Sequence, residues 1–317
     1  MRSPLAFSVL SCAILFATAG CRMGVPLHVW QPPEMQSAVG KRLVISSVGG
    51  PDELAEKVQQ KMLALAPRDT GRNVDVASAA SLPQVGNIRL VSATDDEPND
   101  LALTSMGRHA GIDYLLRGEI LVDRHPKSAA ANSEEKLLIS WRLTPIGSQQ
   151  RPEGRPVVVD LESALKRYPD LSMLGDPTDV LTSAAVRDTY RLITPSIERE
   201  RVQLAIPYLM PGSAEVRRGN MSALAGKWQE AKQTWTEAME GHPTQAAAVH
   251  NLAIAAAAEQ DFSRAKELAR KAIRMQPTKL HQETLVWIEL KQRDYHESFQ
   301  LADPPEGWFV TSEQPPS

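Results

Sequence analysis

Residues 217–243, RRGNMSALAGKWQEAKQTWTEAMEGHP, and residues 251–277, NLAIAAAAEQDFSRAKELARKAIRMQP, run in parallel at an offset of 34 positions. Small residues coincide in the two copies: Gly219 with Ala253, Ala231 with Ala265, and Ala238 with Ala272. The large rings Trp228 and Phe262 share the spacing, and Pro243 and Pro277 close each copy. A unit of this length holds two helices. Small residues where the helices cross let the backbones approach, and a proline after the second helix stops it. The stretch therefore predicts an all-α solenoid over residues 212–300.

The period, the small-residue positions and the terminal proline resemble the tetratricopeptide family. The first unit is degenerate, because Arg217 and Arg218 stand where its first helix should carry an apolar core residue. After Pro277, Leu280–Leu290 (LHQETLVWIEL) makes a further helix, and residues 291–299 (KQRDYHESF) echo the second unit one residue early. This predicts two repeats plus a capping helix or an imperfect third unit. Residues 301–317 carry four prolines and read as a disordered tail.

In such a fold Trp228, Trp235 and Phe262 fill the space between units. The first-helix face is expected to line the concave side and to bind protein. By register it holds Asn220, Ala223 and Leu224 in one unit, and His250, Ile254, Ala257 and Ala258 in the next. The alanine run makes the second patch shallow and apolar. It suits either a docked peptide or helix, or internal packing on the capping helix or on the preceding domain.

That preceding domain spans 41–194 and alternates strand and helix signals. Lys41–Val48 is a β-branched strand. Pro51 then opens a helix with Asp52 and Glu53 in its first turn, and Leu54, Val58, Met62 and Leu65 form its apolar stripe. Asn73–Ala77 is a second strand, and a helix capped by Asn99 runs to His109. Strands follow at Asp113–Asp123, interrupted at Gly118 by a bulge or close approach, then at Leu137–Thr144 and Pro156–Leu161. A helix at Asp179–Ile193 closes the domain. The expected fold is a mixed αβ sheet domain followed by the tetratricopeptide solenoid. Its K-x-L-V-I opening and the Gly111–Ile120 strand resemble the small αβ domain of the Tol-system propeller protein and the curli-export channel lipoprotein. The resemblance implies a domain that is structural or assembles with partners. Residues 195–211, with Pro195, Pro207 and Pro211, read as a junction with an edge strand at Val202–Ile206.

The N-terminus has Arg2 and then an apolar run from Leu5 to Ala19, too short for a comfortable spanning helix. Thr18-Ala19-Gly20-Cys21 resembles the lipobox of bacterial lipoproteins, with Thr18 where that family usually has Leu. The resemblance implies a signal peptide at 1–20 and fatty acylation of Cys21. An ordinary secreted protein and a retained apolar anchor are the other readings of the same residues. Two or more acyl chains would anchor the chain firmly. In that family an aspartate after the cysteine retains the protein at the inner membrane, so with Arg22 there the resemblance implies the outer membrane, facing the periplasm, if sorting follows the same rule. Residues 21–40, with Pro26, Pro32 and Pro33, read as a lipidated tether.

Little supports chemistry. The only cysteines are Cys12 and Cys21, so the mature chain has no disulfide and no thiolate cluster. Gly49–Gly50 lacks the rest of any phosphate loop, and Asp52 and Glu53 would repel an anion there. The seven histidines show no metal-ligand spacing, so no metal or cofactor is expected. Asp95, Asp96, Glu97 and Asp100 read as a solvated turn rather than a calcium loop. Gly-x-Ser-x-Gly is missing. A net charge of −3 and acids interleaved among Arg199, Arg201, Arg217 and Arg218 disfavour nucleic acid. The expectation is a non-enzymatic, membrane-anchored envelope adaptor that binds an unidentified envelope protein. The alternative is a self-associating structural or secretion-accessory lipoprotein, pairing through a sheet edge at Lys41–Val48 or Val157–Val159. A small-ligand binder or a glycan-active enzyme using paired carboxylates is a third class.

Overall fold

The computed structural model describes residues 23–69, 71–81, 100–121, 136–148 and 150–309. The signal peptide, Cys21, the Asp95–Glu97 cluster and residues 310–317 lie outside them. The chain divides into two compact units, one of Pro32–Ser196 and one that joins the N-terminal segment through Gln31 to Ile197–Ser317. The first is a mixed α+β unit. The second is a helical region with repeat-like packing, carrying a two-stranded ribbon.

That ribbon includes the first described strand, β1 (Met23–Gln31). The expected tether at 21–40 is thus overturned. Val25, Leu27 and Val29 alternate inward with period two and are buried. The prolines at 26, 32 and 33 had masked this pattern. Met35 and Ala38, further along the supposed tether, are buried in the α+β unit, where their N–H groups donate to the carbonyls of Leu192 and Ile193.

The α+β unit runs β2 (Arg42–Gly49), α1 (Asp52–Ala64), β3 (Asp75–Ser78), α2 (Asp100–His109), β4 (Tyr114–Ile120), β5 (Lys136–Pro145), β6 (Glu153–Asp160), α3 (Leu161–Arg167) and α4 (Pro177–Ile193). The sheet order is β3-β2-β4-β5-β6. β2 pairs in parallel with β3 and β4, while β4–β5 and β5–β6 are antiparallel. One face packs Leu43, Ile45, Leu116, Ile139, Trp141 and Leu143 against α1 and α4. On the other face Val44 and Leu115 meet Leu103 and Met106 of α2. Leu65, assigned to the α1 stripe, is exposed beyond the helix end.

Gly118 is a close approach and not a bulge. A Cβ there would fall 2.6 Å from the Trp141 ring, while the register irregularity lies on β2 between Ile45 and Val48. Only one of the two expected edge strands is at an edge. β2 is interior, whereas β6 borders β5 alone among the described residues, with Val157 and Val159 buried and Val158 exposed. Pro156 suits this position, since a proline cannot donate to a second neighbour.

The helical unit begins with β7 (Ser196–Leu204), where a junction was expected, and β7 pairs with β1. Then come α5 (Ser213–Leu224), α6 (Trp228–Gly241), α7 (Ala246–Ala258), α8 (Phe262–Met275) and α9 (Lys279–Ser298). The helices of the two repeats end 34 residues apart, at Leu224 and Ala258 and at Gly241 and Met275. Ala231, Ala238, Ala265 and Ala272 are all buried at the crossings. Gly219 is required there, because a Cβ would meet Trp235 Nε1 at 2.4 Å. α9 absorbs both the capping helix and the echo after it into one continuous helix.

The expected disordered tail is ordered through Phe309. Glu306 forms an ion pair with the buried Lys266 at 2.5 Å, and the Phe309 N–H donates to Glu289 at 2.7 Å. The Phe309 ring lies under the Arg270 guanidinium, 4.2 Å from its centroid. Proline content says nothing of such specific charge and ring partners.

Candidate functional site

The repeat face expected to bind a partner is already occupied by the chain itself. Asn220, Ala223, His250, Ile254 and Ala257 are buried, and Ala258 is half-buried. Leu224 alone of the set is exposed. The concave-surface assignment is therefore corrected. Ile254, Ala247, Ala248 and Ala255 share a core with Val25, Leu27 and Val29 of β1 and with Val202 and Leu204 of β7. α7 explains the alanine run. It is buried on every side from Ala246 to Ala257, between its neighbouring helices and the ribbon, and alanine is the helix former that fits such close quarters.

A polar clamp fixes the end of β7 within this face. Asn251 Oδ1 accepts the Ala205 N–H at 2.9 Å, while its Nδ2 donates to the Ala205 carbonyl at 3.2 Å and to Asn220 Oδ1 at 2.7 Å. Asn220 Nδ2 donates to the same carbonyl at 3.0 Å. Trp235 Nε1 completes the set by donating to Asn220 Oδ1 at 3.1 Å and to the Val216 carbonyl at 3.2 Å. Asn220, Asn251 and Trp235 are within 1% of full burial. Each amide can lie there because its donors and acceptors are matched.

His250 Nε2 lies 3.3 Å from the Gln203 carbonyl. A carbonyl only accepts, so this nitrogen carries the proton of the neutral ring, and Nδ1 is left buried without a partner. Burial lowers the His250 pKa to about 3, and the neighbouring His281 adds to the effect; the rings lie 4.8 Å apart. Burial also lowers His281, whose Nδ1 is 2.7 Å from the Gln276 carbonyl. The pair is a tilted ring contact in the core, where burial disfavours the charged form of both rings.

Sequence reasoning singled out Asn220 and His250 but missed Asn251, Trp235 as a donor, and Ala205. A signal was present. Asn251 lies 34 positions after Arg217, and Arg217 Nη1 donates to the carbonyls of Pro207 and Tyr208 at 3.0 and 3.4 Å. The same repeat position holds the backbone of residues 205–208 twice. What read as degeneracy is a second holding point.

A shallow cleft beside the ribbon is lined by His28, Trp30, Phe262, Trp287, Lys291 and Tyr295 among others. Its one ammonium is engaged, with Lys291 paired to Glu200 at 3.2 Å and Asp294 at 2.9 Å. Among the described residues no group of three or more His, Cys, Asp or Glu side chains could hold a metal ion. No helix among them is long and apolar enough to cross a membrane.

No family model matches the chain, and no curated protein sequence does. Solved structures similar to it include the PelC dodecamer from Paraburkholderia phytofirmans in two crystal forms, one of them a single-substitution variant. The identities are 15% and 14%, with TM-scores of 0.27 and 0.26. The matches cover 54% of this chain in both cases, and 98% and 97% of the PelC chains. Similarity this low fixes neither the fold nor the assembly of this chain.

Proposed function

We propose that the protein is an envelope lipoprotein, acylated at Cys21, that works without catalysis as a self-associating structural component. The tetratricopeptide-like helices serve as an internal frame. The observation that carries this reading is the filled repeat face. An adaptor of the kind expected would keep that face open for a partner's peptide, whereas here the clamp and the apolar helix surface hold β1 and β7. The surface left for association is elsewhere. Strand β6 has an edge with no partner strand among the described residues and an exposed Val158, a ready template for pairing with a second copy. Binding to a different envelope protein through the outer helix surfaces is the second reading. A location at the outer membrane, facing the periplasm, accompanies both.

The test is the mass in solution of the mature chain carrying Cys21→Ser, with and without Val158→Lys. The parent is expected to be oligomeric. The Val158→Lys chain should be monomeric with an unchanged circular dichroism spectrum, because the position is exposed. A monomeric parent at every concentration tried would contradict self-association and favour the second reading.

A further inference from the structure

We infer that the loop Pro207–Gly212 is a second membrane contact, with Tyr208, Leu209 and Met210 dipping into the lipid interface beside the N-terminal anchor. Leu209 is 98% exposed, and Tyr208 and Met210 are 53% and 42% exposed. Three consecutive large side chains of mainly apolar character, all exposed in one loop, make a contiguous patch of the kind that marks a contact surface. This loop is also held rigidly in that pose.

The backbone is held on both sides of Leu209. Arg217 donates to the carbonyls of Pro207 and Tyr208. The Met210 carbonyl accepts from the Ser213 hydroxyl at 2.6 Å, and the Pro211 carbonyl accepts from Gln245 Nε2 at 2.8 Å. Gly212, at φ +79°, packs so tightly on His242 that a Cβ would lie 2.4 Å from its ring. Prolines 207 and 211 restrict both ends. A loop whose apolar tip was incidental would have no need of this much support. Preorganisation is what an inserting tip needs, because ordering it at the membrane would otherwise oppose binding.

The ribbon says which surface the tip meets. Gly24 of β1 lies against the Arg201 side chain of β7, while Trp30, at the other end of β1, stacks edge-on against Phe299 of α9. Along β7, Glu200 reaches Trp287 of α9, Gln203 reaches His250 of α7, and Ala205 reaches Asn220 of α5. The start of β1 is therefore at the end of the ribbon where the chain leaves β7 for the loop. Cys21 precedes Met23 by two residues, a reach of at most about 7 Å. An acyl chain on Cys21 would bring that end of the ribbon, and the loop with it, to the bilayer. Arg217 and Arg218, exposed in the second turn of α5 after Glu215, add two positive charges on the loop side that suit anionic headgroups. The inference rests on the acylation of Cys21 proposed above, and its test separates the two.

Once Cys21 is acylated, a cysteine introduced into the mature chain is its only free thiol. An environment-sensitive fluorophore is attached at Leu209→Cys or, as a control beyond the far end of α5, at Lys227→Cys. The acylated proteins are placed in phosphatidylethanolamine–phosphatidylglycerol vesicles, with mass analysis of the N-terminal peptide. A second arm uses Cys21→Ser chains tethered by an N-terminal hexahistidine to nickel-chelating vesicles of the same lipids. The expected result in both arms is a blue shift at position 209 and quenching by brominated lipid, with position 227 unchanged. An aqueous signal at 209 in both arms would overturn the membrane contact. So would equal shifts at both positions, or a shift at 209 that needs only protein concentration and no lipid, which would mark a protein interface. An unacylated N-terminal peptide would sink the anchor reading alone, and the tethered arm would still decide the loop.

Discussion

Asn251, fully buried, holds the N–H and the carbonyl of Ala205 with one side chain. Replacing it by alanine strands the Ala205 N–H and loosens Asn220, whose Nδ2 still holds the carbonyl. At about 1–3 kcal/mol for a buried group left unpaired, Asn251→Ala should cost an amount in that range. A urea unfolding midpoint equal to that of the parent would show that the clamp does not form. His250 makes a separate prediction in acid. Its folded pKa, near 3, is below the ordinary value of 6.5, so the unfolded chain binds the proton first. Stability should be complete above pH 6.5 and fall as the pH drops toward 3. The slope is about 1.4 kcal/mol per unit. In His250→Gln the part of the decline that begins near pH 6.5 should shrink to what His281, also lowered by burial, contributes. These residues were only half legible in the sequence. The repeat register selected the face of Asn220 and His250 correctly, but nothing local reveals that a strand from 46 residues earlier lies on it.

At the scale of elements, the 34-residue period was legible because it reflects a repeated constraint, the close crossing of two helices. Gly219→Ala should overpack the α5–α6 crossing against Trp235, and Ala265→Leu should do the same at α8. Each should lower stability by about 1–3 kcal/mol. A melting curve unchanged by either would place the crossing elsewhere. The sheet order was partly readable from alternation. β1 was not, because its three inward residues are interleaved with Pro26 and followed by two more prolines. The tail was missed for a different reason: its order depends on Lys266, which is fully buried, finding Glu306. The Lys266 ammonium beside it holds the Glu306 carboxyl down at about 2. This contribution is present above the usual carboxylate range and fades as the pH falls from about 4.5 toward 2. Glu306→Gln leaves a buried charge without its partner and should cost about 3–5 kcal/mol, and adding Lys266→Met should restore most of it. If the single substitution were silent, the strap would not be held by that pair.

The whole molecule is a helical frame closed on its own ribbon and an α+β unit whose sheet ends at β3 and β6 among the described residues, with an N-terminal lipid proposed at Cys21. The lipid is tested in cells. Cys21→Ser should abolish acylation and leave an uncut or soluble form, and membrane retention unchanged after high-salt and carbonate washing would contradict it. Everything else depends on whether the repeat face is occupied, since an open face would return the protein to the adaptor class. The most direct measurement is native-state hydrogen exchange at the Ala205 amide, whose acceptor is Asn251 Oδ1. A face filled by its own strand predicts that this amide exchanges as slowly as the buried amides of α7, and that an added peptide does not change it. Exchange at the rate of an exposed loop, or protection that appears only when a partner peptide is added, would contradict the account.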